Sequence, residues 1–467
     1  MRTRNHLPKA LLYYLVTGVL ISGLAFVNHY PLVYSDSGAY MDNSFTLVPY
    51  HDRPIGYGLI IRALTWQSTM WTVVVFQGIV VSWLLMLMVR ELVGDERRWV
   101  HVHLLLLAFL ALFSSLPWYA AQLMADHYTP LVLIILFLLF KATRLGPWRE
   151  GVLWVLLFFF LATHNAHFPM VGILLVAVGL RHLRGGKTGW RGRFSWKWAG
   201  AMGILAGAAL MVMLFNYSAY GRLRLSLAGN VFLAGRLCEP GIMADYLDNN
   251  CATRPNPLCA YRENMPEDTG DLLWSSDQFV NAEHLTIGQA DSLLAPVVKD
   301  ILSKPEYLAR YARSILVSTV TQLFQWEGGT GLIPYGEGSS PRYNLVRRIP
   351  EERHTYDKSR QQWWGGYWEQ RDAANRREAI ALIVSLVVLA LQWRSTEAQE
   401  FPLLRSLTLW VIGWVVLNAA VTSGLAAVDP RLQSRVMWLL PMTAFLLLVN
   451  ISSWANYFKL KPEMDKH

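Results

Sequence analysis

Long apolar segments recur so often along this chain that they decide its class of fold. Hydrophobic residues make up 53% of the 467 residues and charged residues only 16%, whereas soluble domains carry about 25% charged residues. A helix needs about 20 apolar residues to cross a bilayer. We therefore predict an all-α polytopic membrane protein with about ten transmembrane helices. The segments are 10–28, 68–89, 100–118, 128–141, 150–163, 168–183, 198–216, 377–393, 403–426 and 435–453, and those at 128–141, 150–163 and 168–183 are short.

The basic residues indicate how the chain would be oriented. If the N-terminus is cytoplasmic, twenty Lys and Arg fall in cytoplasmic segments and four, Arg53, Arg62, Arg431 and Arg435, in short external loops. The positive-inside rule then predicts that both termini are cytoplasmic. The compact size of the chain, and the absence of Asn-x-Ser/Thr sites that would clearly be used, favour a bacterial inner (plasma) membrane. The net charge of +9 follows this topology and does not indicate a nucleic-acid partner. The cytoplasmic basic residues lie in 1–9, 90–99, 141–149, 181–197, 394–405 and 459–467.

The spacing of the apolar segments divides the chain into three parts. Residues 1–216 form a membrane module of about seven helices, 217–376 an external segment of mixed but mainly helical character, and 377–467 a second module of about three helices. All three cysteines, Cys238, Cys251 and Cys259, fall in the external segment, where disulfides persist. Cys251 with Cys259 would close a short loop, and Cys238 is an equal candidate for either partner.

Ionisable residues near the predicted spans collect on the external side. They come from four stretches that are far apart in the sequence: 34–53, 121–130, 162–169 and 428–435. Ionisable groups at a membrane are costly and mark functional sites. Since a random scatter would place half of them inside, we predict that they form one site at the outer membrane surface. The candidates are Asp36, His51, Arg53, Asp126, His127, His164, His167, Asp429, Arg431 and Arg435.

These residue types together suit a phosphate-containing substrate. A carboxylate can take a proton from a nucleophile or hold a divalent cation. Arginine binds phosphate through two parallel hydrogen bonds, and histidine can bind metal or shuttle protons. The set would suit a lipid-linked phosphate donor whose chain stays in the bilayer. The alternatives are structural: helix capping for Asp36 and Asp126, ordinary interfacial positions for His164 and His167, and a weak local ion pair between Asp429 and Arg431.

Four motifs occur in a characteristic order. Asp36 in YSDSGAY follows the first span, Arg-Pro-Ile-Gly-Tyr follows at 53–57, Asp126 lies in the next external loop, and Arg431 and Arg435 open the final span. In these features the membrane part of the chain resembles the GT-C superfamily of integral-membrane glycosyltransferases, which includes the protein O-mannosyltransferases and the bacterial aminoarabinose transferases. Segment 217–376 resembles no domain that we can name.

The resemblance implies a polyprenyl- or dolichyl-phosphate sugar as donor, with Asp36 as general base or metal ligand. It also implies that Asp36 and Asp126 could hold a divalent cation, Mg²⁺ or Mn²⁺. Many members carry a pair of acidic residues in the first loop, whereas this chain has Asp36-Ser37. Because of this difference, the resemblance does not decide whether the reaction needs a metal ion or which residue is the base.

We therefore predict a glycosyltransferase that moves a hexosyl or pentosyl group from a polyprenyl-phosphate donor to a glycan, lipid or protein acceptor. Arg53, Arg431 or Arg435 would hold the phosphate, and Asp126 with His127 would position the acceptor or a cation. His51, His164, His167 and Asp429 would complete the binding site. The alternatives are a transporter or flippase for a lipid-linked or anionic substrate, another membrane transferase of a lipid-linked group, and a non-enzymatic scaffold. A carrier would place ionisable residues within the spans, which here hold few of them.

Overall fold

The fold consists of helices and the turns that join them. The structure, a computed structural model, describes residues 7–184, 193–363, 367–394 and 401–460. Within these ranges there is no β-strand, only isolated bridges such as the one between Leu32 and Gln122. The predicted all-α class is thus confirmed for the described residues. Parts of the predicted cytoplasmic segments, at 1–6, 185–192, 395–400 and 461–467, lie outside them.

The first helical part begins with two closely packed helices, α1 and α5. Gly18 of α1 faces Gly78 and Ile79 of α5, and a Cβ added to Gly18 would lie 2.6 Å from the Ile79 nitrogen. Small residues permit such close approach of helices in membranes. The helices of this part are α1 (Leu7–Ile21), α2 (Gly23–Asn28), α3 (Ser37–Thr46), α4 (Gly56–Thr65), α5 (Trp71–Leu92), α6 (Trp99–Phe113), α7 (Leu116–Ala120), α8 (Tyr128–Lys141), α9 (Pro147–Leu161), α10 (His167–Arg184) and α11 (Arg193–Tyr220).

The described residues 367–394 and 401–460 form four more helices, of which one is short. They are α20 (Trp368–Arg394), α21 (Pro402–Leu425), α22 (Pro430–Met437) and α23 (Leu439–Leu460). The short helix α22 continues almost directly into α23, and a break at Trp438 separates them. Helix α22 packs against α8, α17 and α21, which places its first turns inside the bundle.

Four helices among the described residues are long and apolar enough to cross a membrane: Trp71–Leu92, Trp196–Tyr220, Pro402–Leu425 and Pro430–Asn450. Two shorter apolar helices span Lys9–Ile21 and His167–Arg181. The structure therefore supports a membrane protein, and the higher count of about ten crossings stays a prediction.

Helix α8 is an apolar helix that is enclosed by other helices of the protein. Its residues 128–139 are all buried, and it contacts α5, α9, α11, α21 and α22. A helix that is apolar on every side is buried somewhere, either in lipid or in protein. Here protein surrounds α8, and three of its neighbours, α5, α11 and α21, contain candidate spans. Enclosure by spans is compatible with a crossing, so the span at 128–141 stays a prediction.

Segment 217–376 contains a second hydrophobic core, formed within 228–311 by residues such as Val231, Leu247 and Leu294. Cys251 and Cys259 form a disulfide with a Cα–Cα distance of 5.8 Å, and Cys238 is free and buried. The short-loop pairing is therefore the one formed. The helices are α12 (Gly229–Cys238), α13 (Ile242–Asn250), α14 (Thr269–Trp274), α15 (Phe279–Ala282), α16 (Ile287–Ser303), α17 (Pro305–Leu323), α18 (Ser340–Arg348) and α19 (Arg353–Asp357).

The end of this segment joins the first helical part. Leu345 and Tyr356, from α18 and α19, belong to the main hydrophobic core. Helix α18 packs on α3, and Arg348 of α18 forms an ion pair with Asp42 of α3 at 2.6 Å. Residues 340–357 therefore help to hold the loop that leads into α3.

Candidate functional site

Asp36 lies directly before α3 and binds two arginines. Its Oδ1 is 2.5 Å from Nη2 of Arg53, and its Oδ2 is 2.8 Å from Nη1 of Arg431. Its side chain accepts no capping hydrogen bond from α3, so the carboxylate is free to bind the guanidinium groups. Residues 395 positions apart in the sequence thus meet at this carboxylate.

Asp126 forms a second, deeper ion pair. It lies in the turn Ala125–His127, just before α8, and its Oδ1 is 2.6 Å from Nη1 of Arg435. The side chains of Asp126 and Arg435 are only 2% and 0% exposed, and Arg435 also donates to Oδ1 of Asn418 at 3.0 Å. Nη1 of Arg431 lies 3.9 Å from Oδ2 of Asp126, so Arg431 stands between the two carboxylates.

The start of α22 aligns the two arginines. Asp429 caps the helix, since its Oδ1 accepts a hydrogen bond from the Arg431 N–H at 2.7 Å, and Pro430 suits the first turn. Arg431 and Arg435 are four residues apart and therefore share one helix face. Gln322 binds both the N–H and the C=O of Asp429, at 2.9 and 2.8 Å. Asp429 therefore has a positioning role in the described contacts.

We call Asp36, Arg53, Asp126, Arg431 and Arg435 the charged cluster. Burial raises the pKa of the Asp36 carboxyl, but Arg53 and Arg431 outweigh this effect and leave the pKa well below its ordinary value. Burial also raises the pKa of the Asp126 carboxyl, but Arg431 and Arg435 lower it by more, so that its pKa is below the ordinary value. Both carboxylates are therefore ionised at neutral pH.

The arginines of the charged cluster keep unused donors. The Nε–H groups of Arg431 and Arg435 are buried and have no hydrogen-bond partner among the described residues. A buried N–H without an acceptor costs about 1–3 kcal/mol. An oxygen-rich anion that entered the cluster would supply the missing acceptors, although it would compete with the carboxylates already bound.

Aromatic residues that the sequence analysis did not select complete the site. The guanidinium carbon of Arg431 lies 4.2 Å from the ring centroid of Tyr34, a cation–π contact. Tyr34 also faces Tyr335, with ring centroids 6.5 Å apart. The hydroxyl of Tyr119 donates to the Arg431 carbonyl at 2.8 Å. Tyr34 is the first residue of the motif YSDSGAY that contains Asp36, but Tyr119 and Tyr335 lack any pattern that would have singled them out.

The predicted histidines divide into separate environments. His51 packs on Tyr220, with ring centroids 4.3 Å apart and the ring planes tilted by 39°. His167 binds Thr129 at 2.9 Å and the Phe160 carbonyl at 2.9 Å. These contacts match the structural alternative for His167.

Two further histidines lie closer to the charged cluster but are neutral. Burial, and secondarily the charge of Arg435, lowers the pKa of His164 well below its ordinary value. Burial lowers the pKa of His127 to about 3. Neutral imidazoles can bind substrate hydroxyls but add no positive charge for a phosphate.

The arrangement does not fit a divalent cation held by Asp36 and Asp126. Each carboxylate already binds a guanidinium group, and the positive charge of Arg431 occupies the space between them. In the described part of the chain no three His, Cys, Asp or Glu side chains are grouped as metal ligands. We therefore assign no chemical step to a metal ion.

Comparisons with protein-family models, curated proteins and solved structures find no match to this chain. The resemblance to the GT-C superfamily therefore stays a prediction from the sequence motifs. The contacts of the charged cluster are the direct basis for a functional interpretation.

Proposed function

We propose that the chain is a membrane glycosyltransferase that moves a sugar from a polyprenyl-phosphate donor to an acceptor hydroxyl. The observation that supports it is the position of Arg431, 2.8 Å from Asp36 and 3.9 Å from Asp126. A phosphate binder thus lies directly between two candidate acid–base groups. In this proposal the cluster lies at the external surface of a bacterial inner membrane, and the donor's isoprenoid chain stays in the bilayer.

The reaction needs a bound phosphate and a base. Arg431, with its unused Nε–H, would bind the donor phosphodiester and stabilise the charge that it gains on leaving. The bond between the anomeric carbon and the phosphate oxygen breaks, and the phosphate keeps the electron pair. The acceptor oxygen forms the new bond to the anomeric carbon, and its proton passes to Asp36. The products are the glycosylated acceptor and polyprenyl phosphate.

Donor binding would also activate the base. In the free protein Asp36 is a weak base, because Arg53 and Arg431 hold its pKa low. A general base works best when its pKa is near the working pH. When Arg431 turns to the donor phosphate, Asp36 loses one of its two cations and its pKa rises. The acceptor would therefore be deprotonated only when the donor is in place.

The test uses the purified full-length chain in lipid vesicles with a panel of radiolabelled polyprenyl-phosphate sugars and candidate acceptors. We expect release of polyprenyl phosphate that depends on an acceptor. Asp36→Asn should lower the rate by about 10²–10⁴-fold, the usual contribution of a positioned base. No acceptor-dependent release with any donor of the panel would contradict the proposal.

Asp42→Asn is the matched control. Asp42 lies in α3, pairs with Arg348 at 2.6 Å, and its side chain is 14% exposed, the same fraction as that of Asp36. The substitution removes a comparable ion pair outside the charged cluster. Transfer that falls equally in both variants, or that survives Asp36→Asn, would show that Asp36 is not the base.

A further inference from the structure

The second half of α17 has an apolar face that the described chain leaves uncovered. Leu316, Val317, Val320 and Phe324 are 70, 61, 57 and 74% exposed. Residues 316, 320 and 324 are four apart and therefore lie along one side of the helix. Contiguous exposed apolar surface of this kind marks a contact with a membrane or another molecule.

Charged residues occur only in the first half of the same helix. Glu306, Arg310 and Arg313 belong to its first nine residues, whereas 314–326 contains no Asp, Glu, Lys or Arg. A helix that leaves water for the hydrocarbon of a bilayer requires this division, because charged side chains are costly there. A surface that binds a soluble protein does not require charged residues to be confined to one half of the helix.

The opposite face of α17 packs along α21, one of the candidate membrane spans. The hydroxyl of Tyr311 donates to the Gly424 carbonyl, and Ile315 lies against the same glycine. Helix α21 has its own exposed apolar residues, Ile412 and Val416 among them. The uncovered face of α17 thus belongs to a helix that packs directly on a candidate span, and that span also carries exposed apolar side chains.

We propose that residues 314–324, the second half of α17 and the residue that follows it, insert into one leaflet of the bilayer, with lipid acyl chains covering Leu316, Val317, Val320 and Phe324. The ten helical residues 314–323 are about 15 Å long, about half of the 30 Å hydrocarbon thickness. The helix therefore enters the membrane without crossing it. After it the chain turns back, and Gly328 donates to the side chain of Asn375 at 3.1 Å.

The inserted helix would adjoin the charged cluster. Gln322 of α17 binds the backbone of Asp429, which caps the helix that carries Arg431. One residue thus connects a lipid-covered surface to the start of α22. This inference concerns how the chain sits in a membrane and does not depend on the transferase activity.

The test is electron paramagnetic resonance of nitroxide labels on the full-length chain in phosphatidylcholine and phosphatidylglycerol vesicles. Val320→Cys and Phe324→Cys place labels on the proposed lipid face, and Glu306→Cys places one on the exposed first turn as the control. The unsubstituted chain gives the labelling blank, since Cys238 is buried and Cys251 is bonded to Cys259. Collision rates with oxygen, which concentrates in lipid, and with a water-soluble nickel complex are compared.

We expect the ratio of oxygen to nickel collisions to be at least threefold higher at 320 and 324 than at 306. Equal ratios at the three positions would place the face in water and overturn the proposal. Protection of 320 and 324 from both reagents would assign the face to a protein partner and overturn it as well. Leu316→Cys, at another exposed position, serves if either variant fails to fold.

Discussion

The buried pair of Asp126 and Arg435 allows a quantitative test of the charged cluster. Arg435→Met removes the guanidinium group and keeps a side chain of similar length in the core. Asp126 then loses its partner at 2.6 Å, and Asn418 loses the donor at 3.0 Å. Arg431 stays at 3.9 Å from Asp126 and compensates in part.

The expected cost follows from these contacts. Removal of one member of a buried ion pair typically costs 3–5 kcal/mol, and the remaining Arg431 places this case near the lower limit, about 3 kcal/mol. The unpaired Asn418 oxygen adds about 1 kcal/mol. We therefore expect Arg435→Met to lower the free energy of unfolding by about 4 kcal/mol. The double variant with Asp126→Asn removes the uncompensated charge as well and should recover about 2 kcal/mol, roughly 30-fold in the unfolding equilibrium.

The measurement is equilibrium unfolding in mixed micelles of a mild detergent and sodium dodecyl sulfate, followed by tryptophan fluorescence. The samples are the unsubstituted chain, both single variants and the double variant. The double-mutant cycle isolates the interaction between the two residues. If the effects of the two substitutions simply add, the side chains do not interact and the geometry of the cluster is wrong.

Two other predictions concern acid pH and a glycine. Asp36 and Asp126 have lowered pKa values in the folded chain. Their contribution to the free energy of unfolding is therefore complete above about pH 5 and is lost as the pH falls below about 4. Unfolding measured as a function of pH should show this loss, and the loss should be smaller in Asp126→Asn. Gly331→Ala should destabilise the chain by at least about 1–2 kcal/mol, because Gly331 has a φ of +78° and lies against Tyr34. Gly336 lies in the same loop, and a Cβ added there would have no atom within 4 Å. Gly336→Ala should therefore leave the thermal unfolding temperature nearly unchanged. An equal loss of stability in both variants would contradict the role assigned to Gly331.

Much of the charged cluster could be predicted because ionisable residues are rare near apolar segments. Asp36, Arg53, Asp126, Arg431 and Arg435 come from three loops that are far apart in the sequence, and ion pairs connect them. The histidines were harder to assign, since an imidazole serves equally well as ligand, base or core hydrogen-bonding group. His51 packs on Tyr220, and no sequence pattern distinguishes such a position from a catalytic one.

The fold was predictable in class but not in detail. Helical content follows directly from the long apolar segments, whereas the number of crossings does not. An apolar helix of 14 residues such as α8 is shorter than a usual span, and its burial fits either a crossing or a position in the protein core. The division of 217–376 was also beyond sequence reasoning. Its cysteine-bearing part forms a core of its own, while residues such as Leu345 join the main core, and only contacts between distant residues determine that.

The enclosure of α8 has a consequence for biogenesis. Two of the helices that surround it, α21 and α22, begin roughly 260 residues or more after the end of α8 and are therefore synthesised much later. Until they arrive, one flank of α8 must be covered by lipid or by an insertion factor. Nascent chains that stop before Pro402 should therefore be recognised by membrane quality-control proteases, and the complete chain should escape them.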